Sequence, residues 1–158
     1  MSPRAQRPDA RPAVQRPLTS GNFLVDLGMG DPRAPEAGFC EVVFPEFTHA
    51  HAKASPAVNH ATNPALASPT PAYLVLRRAA TGALDLYQWW VLARDARKPP
   101  PRRTVTVELL AADMAATVMR WRFLKASPVS LAYSPLDAQV PGLLYETLSL
   151  AFDRVEMG

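Results

Sequence analysis

Arg103–Leu110 reads RTVTVELL, and Thr117–Leu124 reads TVMRWRFL. In the first stretch Val105, Val107 and Leu109 alternate with Thr104, Thr106 and Glu108. In the second, Met119, Trp121 and Phe123 share one face while Arg120 and Arg122 take the other. A period of two is that of a half-buried strand, because successive side chains point to opposite faces of a sheet. Each stretch therefore has one core face and one polar face, and together they commit the last third of the chain to antiparallel β-structure.

The pattern continues on both sides. Val129–Tyr133 is a shorter strand, Pro135–Pro141 a turn region, and Leu143–Phe152 a long strand with Leu144, Leu148, Leu150 and Phe152 on one side. Upstream, Tyr73–Arg77 (YLVLR) is a strand that ends before Thr81 and Gly82. Ala83–Asp95 changes to a helical pattern. Thr81 is placed to cap its first turn, and Leu84, Leu86, Tyr87, Trp89, Trp90, Val91 and Leu92 cover much of its circumference. Arg94, Arg97 and Lys98 favour its C-terminal end through the helix dipole, and Pro99–Pro101 stop it. Asn22–Leu27 and Phe39–Phe44 are short β-type runs, separated by turn-forming Gly28, Gly30, Asp31, Pro32 and Pro35, and read as a hairpin or neighbouring strands. The expected fold is mainly β (α+β): an antiparallel barrel or sandwich of about six or seven strands with one packed helix. Its expected core includes Trp89, Trp90, Trp121, Phe123, Leu148, Leu150 and Phe152.

Two segments stand outside this scheme. Residues 1–20, rich in Pro, Arg, Ala and Gln, lack the apolar surface to offset the entropy of ordering and read as a disordered basic tail before a domain at 21–158. Pro45–Pro71 is a long Pro/Ala-rich loop or arm with little periodicity. The 158 residues suit one domain and not two cores.

The net charge of +3 lies entirely in the tail, where Arg4, Arg7, Arg11 and Arg16 face only Asp9; the remainder holds thirteen basic and thirteen acidic residues. Nucleic-acid binding requires a basic face on the domain itself, so specific nucleic-acid recognition is not expected. No apolar stretch approaches the roughly 18 residues of a membrane-spanning helix, and the N-terminus has no apolar signal core, which suggests synthesis in a cytoplasm and no membrane insertion. Cys40 is the single cysteine, and its place in a strand reads as a small buried core residue. His49, His51 and His60 lie in a Pro/Ala-rich segment without a supporting Cys or carboxylate cluster, so no metal site is assigned. There is no phosphate-cradling glycine loop, paired-carboxylate signature or nucleophile elbow. Neither a catalytic residue nor a cofactor is expected.

Charge is segregated along the chain. Asp26, Asp31, Glu36, Glu41 and Glu46 dominate the early strands, whereas Arg94, Arg97, Lys98, Arg102 and Arg103 cluster around the helix end. Two opposite patches on a neutral body suit self-complementary stacking of copies, the alternative being that both are solvated surface. The candidate inter-subunit residues are accordingly Asp31, Glu36, Glu41, Glu46, Arg94, Arg97, Lys98, Arg102 and Arg103. A small barrel with open strand edges also gains from ring closure, which pairs those edges.

Four segments, in order, carry a resemblance to a known family. They are Phe39–Val42; Leu76–Arg78 with Gly82 and Leu84–Trp90; Arg103–Leu110 with Trp121–Phe123 and Ala126–Val129; and Ser134–Ala138 with Glu146–Asp153. Together they resemble the tail-tube proteins of contractile phages and extracellular contractile injection systems, whose fold is Hcp-like. The resemblance implies a non-enzymatic subunit of hexameric rings stacked into a tube within a contractile sheath. Its implied partners are other copies of the chain, sheath protein, baseplate or spike and tube-terminating proteins, with protein effector cargo in the lumen; its implied place is an assembled particle made in a bacterial cytoplasm. Pro45–Pro71 departs from the family, since it holds no glycine where many members carry a Gly-rich stretch. The repeating tube and the initiating ring at the baseplate both remain open on this reading, as does a monomeric β-barrel binding module.

Overall fold

The computed structural model describes residues 17–33, 38–48, 73–98 and 102–158. Among them are seven strands and one helix: β1 (Phe23–Asp26), β2 (Glu41–Val43), β3 (Leu74–Ala79), α1 (Asp85–Arg94), β4 (Arg103–Leu110), β5 (Thr117–Tyr133), β6 (Tyr145–Ala151) and β7 (Arg154–Met157). All pairings are antiparallel, in the order β1-β4-β5-β6-β3-β2, with β7 also on β5. The expected antiparallel β fold with a single helix is what forms. The expected tail at 1–20 and arm at 45–71, apart from 17–20 and 45–48, lie outside the described residues, as do Glu36 and the three histidines.

The long strand β5 organises the molecule. Its first half pairs with β4, and its second half, from Ser127 to Tyr133, pairs with β6. Lys125 sits between the halves in the left-handed region at φ 53°, where an L-residue pays a steric cost and the strand turns. A register shift follows between Pro128 and Ser130. Proline lacks the N–H of a regular ladder position and is tolerated at such an irregularity. The segment expected as two strands is thus one bent strand shared by two layers. One layer is β1-β4-β5-β7, the other β5-β6-β3-β2. Strands β6 and β7 follow the same edge of β5, with Ala151 opposite Ser127 and Arg154 opposite Leu124, interrupted at Phe152 and Asp153. The expected single strand Leu143–Phe152 is therefore shorter, and a further strand follows it.

Facing sides of the layers enclose Val25, Leu27, Leu74, Leu76, Leu86, Trp89, Val105, Val107, Phe123, Ala126, Leu148 and Leu150. Trp121 and Phe152 are half-buried against this core, and Phe152 meets Phe123 edge-on at 4.9 Å between ring centroids. Three expectations are corrected. First, β1 and β2 form no hairpin, because β1 pairs with β4 and β2 with β3. Second, Thr81 does not cap α1, whose N-cap is Leu84 with no side-chain cap bond. Third, only Leu86 and Trp89 of the helix are buried; Trp90 is half-buried outside the core cluster, while Leu84, Tyr87 and Leu92 are exposed. The helix rests on one edge of its apolar surface, because a single turn-to-turn stripe is all that two sheet layers can accept from it.

Candidate assembly surfaces

Three features bear on the candidate surfaces: open strand edges, a charged sheet face, and a buried ionic cross-link in the other layer. The edges follow from topology. In the layer β1-β4-β5-β7, strand β1 pairs only with β4 and β7 only with β5 among the described residues. Each leaves one row of backbone N–H and C=O groups without a strand partner, at opposite sides of one sheet.

The outward face of the same layer is ionic. Arg120 lies 2.7 Å from Glu108, Arg122 3.5 Å from Glu156, and Arg154 3.2 Å from Glu156. Glu108 also accepts from the Thr117 hydroxyl at 3.2 Å. A shallow concavity of about 460 Å³ is lined there by Leu24, Asp26, Pro32, Arg33, Thr106, Glu108, Arg120 and Arg122. Arg33, Arg120, Arg122 and Arg154 stand against Asp26, Glu108 and Glu156, so the face carries dense charge that is close to balanced, with one arginine in excess. These exposed pairs contribute little to stability, typically about 0–1 kcal/mol each.

The cross-link was not anticipated. Arg78 on β3 and Glu146 on β6 are register partners, 1% and 3% exposed, and Arg78 Nε donates to Glu146 Oε1 at 2.6 Å. Its two terminal nitrogens donate to Asp85 at the start of α1, at 2.5 and 3.2 Å. Burial would lower the Arg78 pKa, but the hydrogen bonds and charges of Asp85 and Glu146 raise it above its ordinary value. Tyr133 is raised too, by burial and then by the Glu146 charge. The signal for this cluster was parity: Arg78 follows Leu74 and Leu76 on the inward face of β3, and Glu146 precedes Leu148 and Leu150 on that of β6. Opposite charges on the apolar parity of two strands are a buried pair in waiting.

The residues expected to bridge subunits differ in exposure. Asp31, Glu41 and Glu46 are exposed, as are Arg94, Arg97 and Lys98. Arg94 lies over the Trp90 ring at 4.7 Å, and Arg102 is 3.6 Å from Asp153 of its own chain. Arg103 is half-buried, with its guanidinium 4.8 Å above the Trp89 ring and against Met29 Sδ, so it serves its own core instead of a free basic patch. Cys40, expected in the core, is exposed, and its thiol donates to the Arg77 carbonyl at 3.3 Å. Beside it an apolar groove of about 340 Å³ opens between β1 and β2, lined by Phe23, Val42, Phe44, Leu109 and Trp121 among others. No group of three or more His, Cys, Asp and Glu among the described residues could hold a metal, and no described helix is long and apolar enough to cross a membrane.

A family model, that of the T4-like virus tail tube protein gp19, matches residues 20–156. The chain belongs to this tail tube family. The family is one of structural tube proteins, and the match spans both sheet layers and the helix. Solved structures share this fold. A chain of the sheath–tube complex of the extracellular contractile injection system PVC, in the extended state, is 19% identical over 92% of this chain and 94% of its own, with a TM-score of 0.67. A chain of the PVC sheath/tube terminator in the extended state is 21% identical over 92% and 99%, with a TM-score of 0.69. Hcp1 from Flavobacterium johnsoniae is 14% identical over 87% and 94%, with a TM-score of 0.53. A comparison with curated proteins finds no match.

Proposed function

We propose that this protein is a non-enzymatic subunit of the inner tube of a contractile injection particle, forming stacked hexameric rings around a central channel inside a sheath. The observation that carries the reading is the pair of unpartnered edges, β1 and β7, on opposite sides of one four-stranded sheet in a chain of the tail tube family. Six copies joined edge to edge would each place four strands around the ring. At about 4.8 Å per strand the circumference is about 115 Å and the backbone diameter about 37 Å before strand tilt widens it. The ionic face of that layer would line the channel. Its nearly balanced arginines and carboxylates give only a weak net field with which to hold a polyanion, which favours passage of a polypeptide cargo. Synthesis in a bacterial cytoplasm, followed by incorporation with sheath, baseplate and terminating proteins, completes the reading. Negative-stain microscopy of the purified chain tests it: rings or tubes with an open channel are expected, and a persistent 17.2 kDa monomer under all assembly conditions refutes it.

A further inference from the structure

We propose that β7 of one copy pairs with β1 of the next in a single register, with Val155 opposite Val25, Met157 opposite Phe23 and Arg154 opposite Asp26 of the next copy. The inference rests on the ring reading above and specifies its contact surface.

Strand direction comes first. The order β1-β4-β5-β7 is antiparallel at every step, so β7 runs against β1. Rotation about a ring axis preserves that relation, and the seam is antiparallel like the rest of the sheet.

Hydrogen-bond phase comes second. The Asn22 carbonyl accepts from the Leu110 N–H at 2.8 Å, so in the alternation of an antiparallel ladder Asn22, Leu24 and Asp26 turn their backbone groups to β4. Phe23 and Val25 turn theirs to the open side. At the other edge Arg120 and Gly158 exchange both backbone bonds, at 2.9 and 3.0 Å, so Gly158, Glu156 and Arg154 face β5, while Val155 and Met157 present theirs outward. The outward-presenting residues are thus Phe23 and Val25 on one edge and Val155 and Met157 on the other.

Side-chain parity is the third constraint. Val25 is in the core, and Phe23 and Val155 pack against it, whereas Leu24 and Asp26 line the ionic face on which Arg154 meets Glu156. The residues that offer backbone bonds at the seam are therefore the apolar ones on both edges. A slip by one residue would break the bonding phase and drive Val155 onto the charged face. A slip by two in one direction sets Glu156 opposite Asp26, two like charges; in the other it sets Asp26 opposite Phe152. Only the proposed register joins bonding phase, apolar contact and an opposite-charge pair, and cross-strand pairs of this kind are what discriminate among registers.

Disulfide capture tests the seam, in a Cys40→Ser background. Arg154 with Asp26 and Glu156 with Leu24 would be non-hydrogen-bonded pairs, whose closer Cα spacing suits a disulfide. Within one chain β4 and β5 separate these positions by about three strand spacings of about 4.8 Å, too far for a bond. Oxidised assemblies of Asp26→Cys/Arg154→Cys and of Leu24→Cys/Glu156→Cys should give covalent ladders ending at the ring size on non-reducing gels. Asp26→Cys/Glu156→Cys should remain monomeric on the same gel. Rings visible by microscopy with no ladder from the first two variants, or a stronger ladder from the third, overturn the register while leaving the ring reading intact. Absence of rings from the unmodified chain removes both.

Discussion

Glu146→Ala isolates the buried cross-link. The substitution removes a carboxylate that is 3% exposed and 2.6 Å from Arg78 Nε, and it leaves a guanidinium that is 1% exposed. Breaking a buried pair by deleting one partner typically costs about 3–5 kcal/mol, because the remaining charge stays desolvated. Here Asp85 still holds two nitrogens of Arg78, at 2.5 and 3.2 Å, so the cost falls at the lower end, about 3 kcal/mol. For a domain of this size that is a fall in melting temperature of about 10 °C. The double substitution Arg78→Met/Glu146→Leu provides the contrast. It removes both buried charges and leaves only Asp85, whose side chain is 40% exposed and can be hydrated, so stability should return to within about 1 kcal/mol of the parent. Urea unfolding of the full chain, at concentrations where it sediments as a monomer, reads both effects as midpoint shifts at constant slope. A parent-like midpoint for Glu146→Ala, or a double variant no more stable than the single, would refute the account of Arg78 as a charge held in place by its partners.

The two tryptophans of α1 should separate sharply: Trp89→Ala is expected to cost about 3–5 kcal/mol and Trp90→Ala about 1 kcal/mol, since only Trp89 is in the core, and urea midpoints compare them. At alkaline pH the Tyr133 hydroxyl matters. Its pKa is raised above the ordinary 10.0 by burial and the Glu146 charge, so the unfolded chain ionises first and stability falls as pH rises from about 10 through the folded value; Tyr133→Phe should make that fall shallower in urea titrations across this range. Lys125→Gly should leave stability unchanged or raise it by about 0.5–1 kcal/mol, because glycine adopts φ 53° without a Cβ clash, while Lys125→Val should cost more than about 1 kcal/mol; thermal melts of the two variants decide.

Strong alternation made β4 and the first half of β5 legible, because Val105, Val107, Trp121 and Phe123 repeat at a period that only a half-buried strand satisfies. The bend within β5 was not legible. Ala126, Ser127 and Pro128 read locally as a strand break, and the left-handed lysine that turns the chain carries no sequence mark. Pairing was hidden for a related reason: proximity in sequence suggests a hairpin of β1 and β2, but each finds a better-matched long-range partner, β4 and β3. Within the basic cluster Arg103 turns to its own core, its guanidinium over the Trp89 ring. Parity did mark Arg78 and Glu146, since each interrupts an apolar face with a charge.

On the ring proposal the open edges must be harmless on a free copy and attractive between copies, and their composition allows both. Each is only four residues long, and Asp26 on β1 and Arg154 and Glu156 on β7 place charges at or beside the exposed backbone rows. Short, charged edges oppose indiscriminate strand addition, because a wrongly registered partner must desolvate a charge without compensation. The same charges favour one alignment, in which Arg154 meets Asp26 and the apolar Val25 and Val155 come together. The buried cross-link lies in the other layer, where Arg78 of β3 bonds to Glu146 of β6 and to Asp85 of α1. The charges of the cross-link and those of the seam are therefore separate groups, although the apolar Val25, Phe23 and Val155 serve both the core and the seam. Glu146→Ala combined with Arg154→Glu should show additive effects, lowering the urea midpoint no further than Glu146→Ala alone beyond about 0.5 kcal/mol, while ring yield falls as far as with Arg154→Glu alone. A strongly non-additive loss in either measurement would mean that the two layers are mechanically coupled through the bend at Lys125.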